Sequence, residues 1–92
     1  MNENYTFPRL WRSFLLLFAH WEWSDDLQCW ALLLPFRHWP IATVDHDGDY
    51  MVWTLSRHPH LRFVGGIAGK LRCTERVRAG KARAEQILRQ PK

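Results

Sequence analysis

Five histidines, nine carboxylates and two cysteines are the side chains of this 92-residue chain with acid–base, nucleophilic or metal-binding chemistry. Three of the carboxylates, Asp45, Asp47 and Asp49, surround Gly48. A calcium loop needs the order D-x-[DN]-x-[DN]-G followed by a distant Glu, and here the glycine falls too early. General acid–base work by paired carboxylates needs a sheltered cleft, whereas a hairpin tip is wet. Turn chemistry accounts for Asp47 and Asp49 without further help. The cluster, with Tyr50 beside it, therefore reads as an exposed acidic knob that engages basic sites on a partner, where fixed like charges give steering and specificity.

His58-Pro59-His60 brings two imidazoles together, and His20, His38 and His46 lie elsewhere in the chain. Zinc takes four ligands, and no second pair sits at a recognised spacing, so the segment reads as a solvated loop. The run Gly65-Gly66-Ile67-Ala68-Gly69-Lys70 lacks both the spacing of a phosphate-binding loop and its Ser/Thr. No Ser or Cys carries a local nucleophile signature, and Cys29 and Cys73 read as buried thiols rather than a disulfide framework. The expectation is a protein that is not an enzyme and holds no metal or cofactor.

The positions of the charges are more informative than their sum. The net charge is +4, but residues 1–50 carry three Arg against seven acids, and residues 51–92 carry ten Lys/Arg against two acids. A basic half of this kind attracts polyanions through its long-range field. Its candidate contacts for nucleic acid or an acidic partner are Lys70, Arg72, Arg76, Arg78, Lys81 and Arg83. The two signs are expected at opposite ends of the molecule. The longest uncharged apolar run, residues 14–19, is far short of the about 20 residues that span a bilayer, and the chain reads as cytoplasmic, without membrane contact.

The elements that must place these side chains follow from periodicity. Residues 1–6 are polar and read as loose, and 92 residues fit a single domain. From Arg12 to Trp23 a helical and an alternating period compete, which leaves residues 8–22 open between helix and strand, and the aromatic-rich end from His20 to Trp23 favours a strand there. Ser24-Asp25-Asp26 supplies a turn, and residues 29–34 form a short apolar run ended by Pro35, in keeping with a buried strand. Residues 41–46 and 49–55 flank Asp47-Gly48, a pair that favours a two-residue type I′ hairpin. That register pairs His46 with Asp49, Val44 with Met51 and Ala42 with Trp53. It places Ala42, Val44, Met51, Trp53 and Leu55 on the core face, with Thr43, Asp45, Tyr50, Val52 and Thr54 opposite. Residues 61–64 read as a further strand. Thr74 is the expected N-cap of a basic helix over residues 74–89, whose apolar stripe is Val77, Gly80, Ala84, Ile87 and Leu88. Of the six Trp, Trp21, Trp23, Trp30 and Trp53 fall in strands and most are expected in the core, while Trp11 and Trp39 are expected to be partly exposed. The fold class is α+β, an antiparallel sheet of about four strands packed against a C-terminal helix.

Asp47-Gly48-Asp49-Tyr50, Trp53, Gly65-Gly66 and residues 79–88 with Ala84-Glu85 resemble a pattern common among small phage and mobile-element proteins. In these a D-G hairpin leads through an aromatic strand and a Gly-containing link into an Ala-rich helix. Anti-CRISPR proteins include many domains of this kind. The resemblance implies stoichiometric inhibition of a bacterial nucleoprotein defence complex by occlusion. The partners it implies are a host protein or nucleoprotein complex, met in the cytoplasm of a bacterial host. A second likeness, carried by Lys81-Ala82-Arg83-Ala84-Glu85-Gln86-Ile87-Leu88, is to the last helix of the double-stranded-RNA-binding domain. It implies the order helix, three strands, helix, with Lys70, Arg72 and Arg76 near phosphates. A further expected partner is a second copy of the chain, through an exposed strand edge.

Overall fold

The computed structural model of the protein describes residues 16–35, 39–55 and 58–90. Five strands run in chain order, β1 (His20–Ser24), β2 (Cys29–Leu33), β3 (Ala42–Val44), β4 (Tyr50–Trp53) and β5 (Leu61–Gly65), followed by one long helix, α1 (Cys73–Arg89). All neighbours are antiparallel, and the sheet order β1-β2-β3-β4-β5 is a plain meander. The α+β class stands, with five strands where about four were expected. Residues 1–15, which include the N-terminal segment expected to be loose and Trp11, lie outside the described residues, as do Arg37 and His38.

The helix lies across one face of the sheet, against β3 and β4. Two rows of side chains crossing the strands meet it. Trp21, Leu32, Ala42 and Val52 are in register in one row, and Trp23, Trp30, Val44 and Tyr50 in the other. Gly80, Ala84, Ile87 and Leu88 are the buried residues of α1. The expected stripe is confirmed there, with Val77 packed half-buried against the same core. Small residues in its middle let the helix axis come close to the strands. A Cβ on Gly80 would lie 2.5 Å from the Gly48 carbonyl oxygen and 2.9 Å from Val44 Cγ1.

The β3–β4 hairpin forms, but with a different loop. Val44 pairs with Tyr50, Thr43 with Met51 and Ala42 with Val52. Asp45 N–H donates to the Asp49 carbonyl and Gly48 N–H to the Asp45 carbonyl, both at 3.0 Å, which closes a three-residue loop, residues 46–48. Asp45 Oδ1 accepts from the amides of Asp47 and Asp49 at 2.9 and 3.0 Å, and Gly48 takes the left-handed turn with φ +86°. This three-residue arrangement with glycine in the left-handed position replaces the two-residue turn. The extra residue slips β4 by one place, and a one-residue slip exchanges the two faces of a strand. Tyr50 and Val52 are accordingly core residues at 8% and 0% exposure, and Met51 is exposed at 38%.

Two smaller corrections concern α1 and the cysteines. The helix begins one residue earlier than expected: Arg72, in extended conformation, is the N-cap, and Thr74 lies inside the first turn. No side chain caps it. Instead the Arg76 guanidinium donates back to the Leu71 and Gly69 carbonyls at 3.1 and 2.8 Å and fastens the approach loop. Cys29 is buried as expected, whereas Cys73 is exposed at the helix start. A strand at His20–Ser24 and five strands among the described residues also depart from the helix–three strands–helix order of the RNA-binding likeness.

Candidate functional site

The hairpin tip brings Asp45, Asp47 and Asp49 together, with one carboxylate oxygen of each within 4.8 Å of the others. Their roles differ. Asp45 is half-buried and its Oδ1 is committed to the turn amides, so it shapes the knob. Asp47 and Asp49 are exposed, and His46 Nε2 lies 3.5 Å from Asp47 Oδ2. Tyr50 does not share the surface with them. Its ring is buried and crosses Gly65 on the neighbouring strand, where a Cβ would meet it.

The tip does not stand away from the cationic helix. A Cβ on Gly48 would lie 2.5 Å from the Arg76 carbonyl oxygen, and the Gly48 carbonyl faces Gly80. The carboxylates therefore sit beside the first half of α1, and the two signs are neighbours rather than occupants of opposite ends. Four of the expected cations, Lys70, Arg72, Arg78 and Arg83, are exposed, the last with Nη1 donating along the helix surface to Gln86 Oε1 at 2.9 Å. The other two are engaged within the fold. Arg76 holds the approach loop. Lys81 lies with Nζ 3.8 Å from the Trp30 ring centroid and 5.6 Å from that of Trp21. Nor do they form one face, because at about 100° per residue Arg78 and Arg83 are separated by about 140° around the axis.

Lys81 belongs to a cluster that sequence reasoning missed. Trp21 Nε1 donates to Glu85 Oε2 at 3.1 Å, Glu85 Oε1 lies 3.7 Å from Arg89, and the Trp23 and Trp30 rings meet edge to face at 5.5 Å. Burial pushes the Lys81 ammonium below its ordinary pKa, against the opposing pull of Glu85. The only sequence signal is the spacing of Lys81, Glu85 and Arg89 on one helical stripe. That spacing becomes informative once the β1–β2 pairing turns Trp21 and Trp30 to the same side. Trp23 is 43% exposed and Trp21, Trp30 and Trp53 are half-buried, so the strand tryptophans line margins rather than fill the centre.

The opposite face of the sheet carries an open trough of about 1040 Å³ whose lining includes Cys29, Trp39, Thr43, Met51, Trp53 and His58. Burial raises the Cys29 thiol pKa, and the Asp45 charge adds to the shift. Trp39 stands 69% exposed at this trough, as the sequence led one to expect. The cavity between α1 and β1, lined by Trp21, Leu32, Glu85 and Arg89 among others, holds about 40 Å³, room for a few waters and no substrate. No described helix is long and apolar enough to cross a membrane. Comparison of the chain with protein-family models, with curated proteins and with solved structures finds no match.

Proposed function

We propose that the chain is a non-enzymatic binding module of phage or mobile-element origin, which inhibits a bacterial nucleoprotein defence complex of the CRISPR-Cas kind by covering one of its contact surfaces. The reading rests on one observation: the Gly48 backbone, flanked by the exposed Asp47 and Asp49, is seated on the first half of α1, which carries Arg78 and has Arg72 as its N-cap. A rigid patch of both signs suits a surface where a protein subunit meets nucleic acid, since charge complementarity sets register and rejects wrong partners. The test is a target-cleavage assay with purified CRISPR effectors and increasing amounts of the protein. Protection that saturates near equimolar ratio is expected, together with its loss in Asp47→Lys/Asp49→Lys. Asp45 is left intact because its carboxylate builds the turn. Cleavage that persists at every ratio with every effector ends the proposal.

A second reading, direct nucleic-acid binding, draws on the exposure of Lys70, Arg72 and Arg78. It requires an affinity for RNA or DNA that falls steeply with salt, because each neutralised phosphate releases counterions. A gel-shift series without complex at low salt removes it.

A further inference from the structure

The helix covers one face of the sheet, and the trough on the other face has a polar side chain at its floor that the fold leaves unsatisfied. Thr43 points away from α1, because its neighbours Ala42 and Val44 stand in the rows that meet the helix and successive strand residues alternate. It is 8% exposed, and among the described residues its hydroxyl has no hydrogen-bond partner. A buried hydroxyl without a partner is costly, and Thr43 lines the trough, so a group entering there supplies the missing bond. Apolar surface surrounds it. Trp39 is 69% exposed, and half-buried Trp53 lines the same trough with Met51.

The charge around this face has one sign. Asp26, in the β1–β2 turn, is the one lining residue with a fixed charge, and among the described residues nothing pairs with its carboxylate. A second hollow beside it shares Asp26 and adds Glu22 and Asp25. Neither lining includes a Lys or Arg among the described residues. We propose that the trough binds an organic cation with a flat apolar body, its ammonium beside Asp26, its body against Trp39 and Trp53, and a polar group over Thr43. An ammonium is attracted both by the carboxylate and by the negative face of an indole ring. Nucleotides and fatty acids carry the wrong sign for this rim. Mostly apolar walls with a few convergent polar groups are the common make-up of a small-molecule site. The lining runs from the β1–β2 turn across β2, β3 and β4 to the loop before β5, roughly 10–14 Å at a strand spacing of about 4.8 Å.

Two probes of about that length test the site on the full chain. Procainamide has an aryl ring, a central amide and a tertiary ammonium, and 4-aminohippurate has the same aryl amide ending in a carboxylate. Calorimetric titration should show procainamide binding about tenfold tighter, the combined worth of one exposed charge contact and one ring contact. The indole N–H resonances of Trp39 and Trp53 should shift on binding, while that of Trp21, which donates to Glu85 on the helix side, should not. Asp26→Lys, at an exposed position with no partner to lose, should reverse the preference between the probes. Thr43→Val keeps the side chain's shape and should weaken both probes without lowering the thermal midpoint of the free protein. Equal affinity for the two probes overturns the proposal, as does no binding of procainamide at millimolar concentration. So does a preference that survives Asp26→Lys, a Thr43→Val variant that binds as the native chain does, or shifts at Trp21 in place of Trp39 and Trp53.

Discussion

At the scale of single residues, burial separates side chains that the sequence treats alike. Cys29 and Cys73 both sit beside apolar or helix-start residues, yet one lies under the trough and the other is on the surface. A thiol-specific reagent at pH 8 should therefore titrate one cysteine in the native protein and two after denaturation. Cys73→Ser should remove the fast phase. The raised pKa of Cys29 also has a defined sign. Below the unfolded value of about 9.0 the thiol is neutral in both states and costs nothing. Above it the unfolded chain ionises first, so stability falls as the pH climbs through 9. In Cys29→Ala that part of the alkaline loss should disappear, and Asp45→Asn should lessen it by removing the neighbouring charge. Denaturant midpoints measured between pH 7 and 10 would show both effects. Lys81 acts in the opposite sense, because a lowered ammonium pKa makes the folded state gain on the unfolded one as pH rises towards 10.5.

At the scale of elements, the hairpin and the helix depend on each other through backbone atoms. Gly80→Ala should push its new methyl group into the Gly48 carbonyl and Val44, at a cost of about 1–3 kcal/mol for overpacking. Urea unfolding would register this as a lower midpoint at unchanged slope. Gly48→Ala should cost at least as much, since it adds the strain of a left-handed alanine, about 1–2 kcal/mol, to a clash with the Arg76 carbonyl. These contacts also explain what was legible beforehand. The apolar run of β2, the stripe of α1 and the existence of the β3–β4 hairpin rest on periodicity and turn composition, which act locally. The register of that hairpin does not, because it depends on Asp45 reaching two amides and on Gly48 seating against a helix some thirty residues away. Asp47-Gly48 as a dipeptide favours the tighter turn, and the slip it conceals sends Tyr50 and Val52 inward and Met51 outward. The candidate site suffered in the same way. Asp47 and Asp49 lie at the surface as expected, while Tyr50, Arg76 and Lys81 are drawn into the fold by partners distant in sequence.

At the scale of the whole molecule, the charged surface should respond to salt. Contact through Asp47, Asp49, Arg72 and Arg78 is made by exposed charges and should weaken as ionic strength rises, chiefly through a slower association rate.

The seat of Gly48 on Gly80 has one more consequence. A main-chain oxygen resting on a main-chain groove has no rotamer through which to slacken, so the spacing of the tip's backbone from the helix's is set before any encounter, and only the side chains of Asp47, Asp49, Arg72 and Arg78 adjust. The surface works as a die rather than as a hand. Docking onto it forfeits little backbone freedom on this side, and a target whose own charges are spaced beyond the reach of those side chains meets a mismatch.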